Sequence, residues 1–287
     1  MITASEKHQI VEALKVKRSN FSGSDSKFAI SIGINPAQYN RIKNGDTEKV
    51  LSDENWISLA RQVLTANGSQ NWKTAETPVF KSITAILNKC QKSNISAIIC
   101  DIADIGKTYT ARAYVQSNKN AVFIDCSQVK NKQKLVRLIA KSFGVGHTGR
   151  YQDVYEDLVF YLRKISNPLI ILDEAGDLQY DAFLELKALW NATERCCGWI
   201  MMGADGLKEK MRRAIDNKKV GFTEIFSRYG KRYQRFSPEG REEFEKFLKE
   251  QAALVIRANA PSGTDIQKML VKTDGSLRRV YTEISKL

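Results

Sequence analysis

The chain has 287 residues, 43% apolar and 27% charged, the proportions of a globular protein long enough for a sizeable core and more than one domain. Its 45 Lys and Arg outnumber 32 Asp and Glu, and the net charge of +13 favours a polyanionic partner without choosing between DNA, RNA and a membrane surface. No apolar run approaches the ~18 residues of a membrane span, the N-terminal stretch lacks the apolar centre of a signal peptide, and the five cysteines follow no zinc or disulfide spacing; the expectation is a cytoplasmic protein with reduced thiols and no membrane partner.

Residues 4–17 set Ile10, Val11, Leu14 and Val16 among charges and predict an amphipathic helix. A Ser/Gly-rich turn over 19–24 leads to a short helix, 26–32, ended by Gly33, where glycine can turn left-handed. Asn35 and Pro36 suit the N-cap and first position of the next helix, 36–43, which Asn44 and Gly45 close. Ser52 caps a further helix with Asp53 and Glu54 in its first turn and Trp56, Ile57, Leu59, Ala60 and Val63 inward. Two short helices joined by a glycine-containing turn, inside a small bundle, fit a helix-turn-helix. Its second helix would offer Gln38, Tyr39, Asn40, Arg41 and Lys43 to a duplex; a helical protein-interaction domain is the other reading. Nine basic residues against seven acidic over 1–65 leave the charge excess elsewhere. We expect this domain over 1–66 and a polar linker with Gly and Pro over 67–78.

A helix over 79–90 leads into an apolar run, Ala97 to Cys100, then a turn ending in Gly106, Lys107 and Thr108, then a helical pattern. Strand, loop, Gly-Lys-Thr, helix is the layout of a phosphate-binding loop: backbone N–H groups face the phosphates, the lysine reaches the outer ones, and the hydroxyl holds Mg²⁺. The first position of G-x-x-x-x-G-K-[ST] is Asp101 rather than Gly. About 65 residues further on, Leu169-Ile170-Ile171-Leu172 ends in Asp173 and Glu174. Such a run reads as a strand buried on both faces, and an acid at its C-terminal end suits Mg²⁺ beside the phosphate loop. Further strands are expected over 120–126 and 199–202, and helices over 133–143, 152–165 and 181–194. Alternation of this kind predicts a parallel, doubly wound sheet with its ligand at the C-terminal strand edge. Ten basic against three acidic residues over 206–235 suggest a phosphate-facing or subunit-facing surface. Helices over 239–253, 265–271 and 275–281 complete a small all-α lid. The expected division is an α/β core over 79–236 and a lid over 237–287.

The ordered set Glu76-Thr-Pro-Val-Phe, Gly106-Lys-Thr108, Phe123-Ile-Asp-Cys-Ser127, Asp173-Glu174, Phe226-Ser-Arg228 and Gly275-Ser-Leu-Arg278 resembles AAA+ ATPases, and more closely the phage Mu transposition protein B and TnsC group of target-DNA activators. The resemblance covers roughly 75–287, and 28–45 resembles the repressor-like helix-turn-helix family. The fold it implies is α/β: a P-loop AAA+ core with a C-terminal helical lid and an N-terminal all-α helix-turn-helix domain.

The resemblance also implies roles. Asp104, Ile105, Gly106, Lys107, Thr108 and Tyr109 would cradle ATP, with Thr108 and Asp173 on Mg²⁺. Glu174 would activate water, Arg228 would reach into a neighbouring subunit's site, and Arg278 would sense the γ-phosphate from the lid. Only Asp205 is available to position water at the end of the fourth strand. Relatives have Gly where this chain has Asp101 and Asp104; a side chain at 104 would crowd the bend, and a carboxylate near phosphates is repulsive unless Mg²⁺ or a lysine intervenes, so hydrolysis is expected to be slow or lost and binding weak to moderate. Double-stranded DNA would be gripped through its backbone, without sequence choice, by Lys130, Lys132 and Lys134 and by Thr148, Gly149 and Arg150. The expectation is an ATP-dependent homo-oligomer, ring or helical filament, that marks target DNA and activates a transposase. The alternatives are a helicase loader or replication initiator, and a helix-turn-helix regulator with a vestigial nucleotide pocket.

Overall fold

The computed structural model describes residues 2–21, 23–63 and 72–287, so the first part of the expected linker, 67–71, lies outside the described residues. The N-terminal domain is built of α1 (Ala4–Ser19), α2 (Asp25–Ile32), α3 (Pro36–Lys43) and α4 (Asp53–Val63). Side chains satisfy the helix starts: Thr3 and Glu6 form a capping box on α1, Ser24 caps α2, and Asn35 and Gln38 form a second box on α3. Gly33 closes α2 at φ +78°, the left-handed conformation expected of it. Phe28, Tyr39, Ile42, Trp56 and Leu59 meet in the domain's core, with the rings of Phe28 and Tyr39 edge-on at 5.1 Å. Val16 and Ile57, expected inward, are exposed instead.

The core follows in chain order as α5 (Pro78–Ser93), β1 (Ser96–Cys100), α6 (Lys107–Ser117), β2 (Ala121–Asp125), α7 (Lys132–Ser142), α8 (Tyr151–Lys164), β3 (Leu169–Asp173), α9 (Tyr180–Ala192), β4 (Gly198–Gly203), α10 (Asp205–Asp216), α11 (Phe222–Arg228) and β5 (Tyr233–Gln234). The five strands are parallel in the order β2-β3-β4-β1-β5. Strand alternation sorts the apolar runs onto two faces. Ile98, Ile170, Leu172, Trp199 and Met201 face α7 to α11, and Ile99, Leu169, Ile171, Ile200 and Met202 face α5 and α6. With both faces covered, every residue of β3 is buried. The fifth strand was not foreseen. It has two residues and no apolar run, and it follows a turn in which Gly230 and Lys231 both take positive φ.

The lid packs α12 (Arg241–Asn259), α13 (Ile266–Thr273) and α14 (Leu277–Ile284) around Ala252, Ile256, Leu270 and Val280. The described end of the expected linker is a strap on this lid. The Lys73 N–H donates to Asn259 Oδ1 at 2.6 Å, the Asn259 side chain donates back to the Lys73 carbonyl at 3.0 Å, and Trp72 lies edge-on to Tyr281 at 4.9 Å. The N-terminal domain rests on the core where α2 meets α7: the Lys27 ammonium lies 3.6 Å from the centre of the Tyr161 ring, and Gly144 abuts the backbone of Lys27.

Candidate nucleotide site and basic surfaces

Register carries Cys100 beside Gly203, and Asp125 beside Asp173, along the C-terminal edge of the sheet. The loop from Asp101 to Gly106 crosses that edge and feeds α6. Two of its residues turn left-handed, Asp104 at φ +66° and Gly106 at φ +93°. Asp tolerates this conformation better than most residues with a Cβ, which is how a carboxylate stands where the AAA+ pattern has glycine. The bend is therefore not crowded as the sequence suggested.

Lys107 opens α6 and is almost buried; its Nζ donates to the carbonyls of Asp101 at 2.8 Å and Ile102 at 2.6 Å. Burial pulls its pKa below the ordinary lysine value, and the carboxylates of Asp101, Asp173 and Glu174 oppose that shift. Thr108 Oγ1 donates to Asp173 Oδ2 at 2.6 Å, so the strand-end acid and the loop hydroxyl form one cluster of oxygens. Burial raises the Asp173 pKa against the pull of the Thr108 hydrogen bond. Glu174 is raised as well, first by desolvation and then by the charge of Asp173, which moves it toward the range useful to a general base. Its backbone is left-handed at φ +51°. Lys210 holds that exit by donating to the carbonyls of Gly176 at 2.7 Å and Leu178 at 2.6 Å. Ile105 is buried under the loop, and Tyr109, partly exposed, shares a hydrogen bond of 2.7 Å with Thr74. Asp205 is exposed at the start of α10, two residues past β4.

Both loop acids have partners within the chain. The Asp101 carboxylate is fully buried and accepts from the N–H groups of Phe236 at 2.6 Å and Ser237 at 2.9 Å and from the Ser237 hydroxyl, with Arg235 at 3.9 Å. Asp104 accepts from Ser276 Oγ at 2.6 Å and the Arg278 N–H at 3.1 Å, and the Arg278 guanidinium lies 3.8 Å away. Repulsion of phosphate by bare loop carboxylates, expected from sequence, is thus corrected: both acids are engaged by the lid and its junction. Sequence reasoning missed these partners because 135 residues or more separate them from the loop.

Arg228 ends α11 near the N-terminal edge of the sheet. Its Nε donates to Asn191 at 2.7 Å and its guanidinium lies 5.4 Å from the Trp190 ring, whose indole N–H donates to Ser96 at the start of β1. The length of a strand, roughly 13 Å, separates it from the loop of its own chain.

On the opposite flank, Arg137 donates to the carbonyls of His147 at 2.7 Å and Gly149 at 2.9 Å, which folds the start of α8 against the second turn of α7. Lys130, Lys134, Thr148 and Arg150 are exposed on that end and Lys132 is half-buried. In the helix-turn-helix, Tyr39 is 3% exposed and belongs to the core, a correction to its proposed duplex contact; it shares the apolar face of α3 with Ile42, three residues on. Gln38 is engaged by the cap of α3 and by the Val50 carbonyl at 3.2 Å, whereas Arg41 and Lys43 are exposed in ion pairs with Asp46 and Asp25. Part of the excess charge over 206–235 has partners within the chain: besides Lys210, the exposed Lys219 covers the Tyr180 ring and the exposed Arg213 pairs with Glu209.

This architecture, a five-stranded parallel sheet with a Gly-Lys-Thr loop and an acidic strand end on one edge, has the layout of a P-loop α/β core with a helical lid. Residues 96–211 match the family profile described as an AAA domain. The chain is similar to the ATP-dependent target DNA activator B of Escherichia phage Mu and to that of Escherichia phage D108, each 26% identical over 194 residues that cover 66% of this chain and 59% of the relative. It is also similar to the Mu-like prophage FluMu DNA transposition protein B of Haemophilus influenzae, 25% identical over 141 residues, 49% of this chain and 48% of that one. The chain thus spans about three fifths of the length of the two phage relatives. Among solved structures, that of the Aeropyrum pernix Orc1 protein in complex with DNA superposes with a TM-score of 0.46 at 15% identity, over 79% of this chain and 69% of that one.

Proposed function

We propose that the chain is an ATP-dependent DNA-binding protein that assembles on double-stranded DNA and marks it as the target for a transposase. The observation that carries this reading is the meeting of Lys107, Thr108, Asp173 and Glu174 at one sheet edge, in a chain similar to target DNA activators. Lys107 and the loop N–H groups of Asp104, Ile105 and Gly106 bind the phosphates. Among the described residues no group of three or more His, Cys, Asp and Glu is built to hold a metal alone. The Thr108 hydroxyl and the Asp173 carboxylate are nevertheless hard oxygen donors suited to Mg²⁺ that shares phosphate oxygens, and bound there it would neutralise charge on the β- and γ-phosphates. Glu174 accepts a proton from water. Arg228, remote from its own loop, serves the site of an adjacent copy, and this makes the oligomer the active unit.

DNA is held through its phosphates by Lys130, Lys132, Lys134, Thr148 and Arg150, with Arg41 and Lys43 of the helix-turn-helix as a second contact. The reading is tested by calorimetry with ATP and sedimentation with duplex DNA. Wild type is expected to bind ATP and to shift to larger species on DNA with ATP, and Lys107→Ala to lose both. A Lys107→Ala protein that still binds ATP and assembles as before overturns it.

A further inference from the structure

Both acids of the phosphate loop are spent on the lid, but in different ways. Asp101 is sealed beneath Phe236 and Ser237, where the chain leaves the last strand. Asp104 is partly open, and its two oxygens clasp the first turn of α14: Oδ2 accepts a hydrogen bond from the Ser276 hydroxyl, and Oδ1 accepts one from the Arg278 N–H and lies 3.8 Å from the guanidinium. Ser276 Oγ in turn accepts from the Arg279 N–H at 3.2 Å, so one hydroxyl links the helix start to the loop. The carboxylate also lies at the positive end of α14. The Arg278 side chain is 80% exposed, so this ion pair is a weak one that an incoming anion can displace.

We propose that Asp104 is a positioning residue that holds Arg278 over the phosphate loop and competes for it with the terminal phosphate of a bound triphosphate. A carboxylate and a phosphoryl group make the same demand on a guanidinium fork, and Arg278 cannot satisfy both in full. The loop therefore carries its own anion opposite the lid arginine. Binding of a triphosphate exchanges that anion for the nucleotide and loosens the clasp on α14, while the Asp101 anchor stays shut. This inference rests on the nucleotide site proposed above, with Arg278 reaching the γ-phosphate.

Asp104→Asn separates charge from shape. Asparagine accepts the left-handed backbone and keeps an acceptor oxygen, so the loop and the Ser276 contact survive while the charge is lost. Isothermal titration with ATP and with ADP is run on wild type, Asp104→Asn, Arg278→Ala, the double variant and Lys107→Ala. Asp104→Asn is expected to tighten ATP about three- to fivefold, the scale of an exposed ion pair, and to leave ADP within twofold; in the Arg278→Ala background it changes neither. Equal tightening with and without Arg278 means that the carboxylate merely repels phosphate, and the inference falls. No tightening of ATP by Asp104→Asn, with ATP binding lost in Lys107→Ala, also sinks it and leaves the nucleotide site standing. ATP binding that survives Lys107→Ala removes the nucleotide site itself, and the inference with it.

Discussion

Replacing Asp101 with glycine restores the first position of the phosphate-loop motif, and sequence logic alone expects an improved loop. The structure predicts damage. Asp101 has no positive φ to relieve, and its carboxylate is the acceptor for the N–H groups of Phe236 and Ser237 and for the Ser237 hydroxyl. Ser237 is 6% exposed, so water cannot readily replace the lost partner. An unsatisfied buried donor costs about 1–3 kcal/mol, and Phe236, being less covered, recovers part of its loss from solvent. Glycine adds roughly 0.5–1 kcal/mol through the freer unfolded chain. The sum is about 3 kcal/mol. With a urea slope of about 3 kcal/mol/M for a core of this size, the midpoint should fall by about 1 M. Asp101→Asn, which keeps one acceptor, should lie between the two. Urea unfolding followed by circular dichroism measures this, and an Asp101→Gly midpoint within about 0.2 M of wild type would refute the assignment of Asp101 as the anchor between loop and lid.

Three further outcomes are expected. Lys130→Ala with Lys134→Ala should flatten the dependence of log affinity on log salt by about 0.9 per lysine, read by fluorescence anisotropy with duplex DNA; an unchanged slope excludes both as phosphate contacts. Arg228→Ala should leave ATP affinity within twofold while lowering turnover about a thousandfold, and mixing it with Lys107→Ala should restore part of the activity, because intact loop and intact arginine then meet between subunits. Lys272 and Lys286 both donate to Glu283 and draw its carboxyl down to about 2 from the ordinary 4.5. A depressed carboxyl stabilises the fold fully above the unfolded value, and the gain is lost as pH falls from about 4.5 toward 2. Glu283→Gln should therefore lower the melting temperature at pH 7 and converge with wild type at pH 2–3; a constant gap across that range contradicts the linkage.

What the sequence discloses here follows from how local each cause is. Strands β1, β3 and β4 are apolar runs that two covered faces require, and the helix caps at Asn35 and Ser52 are decided within three residues. The convergence of Thr108 with Asp173 follows once both runs are read as neighbours in a parallel sheet. Tyr39 was misread because it lies among polar residues, although its spacing to Ile42 marks the buried stripe of α3. Lys210 was hidden in a basic stretch whose charge suggested an outward face, while Leu207 and Met211 turn that side of α10 inward. The partners of Asp101 and Asp104 were out of reach for a different reason. Nothing near either acid states where the lid returns, and the contacts exist only once β5 has joined the edge of the sheet.

Gly144 bears on how the two DNA contacts proposed above are placed relative to each other. It stands at φ +68°, and a Cβ built there would meet the Lys27 carbonyl oxygen at 2.1 Å, so any side chain forces the helix-turn-helix off the flank of α7. While that seam is shut, Arg41 and Lys43 of α3 keep one spacing from Lys130, Lys132 and Lys134 around the start of α7, and the angle between the two DNA contacts proposed above would be set in advance. On that proposal, a single methyl group at Gly144 would turn one continuous footprint on DNA into two independent ones.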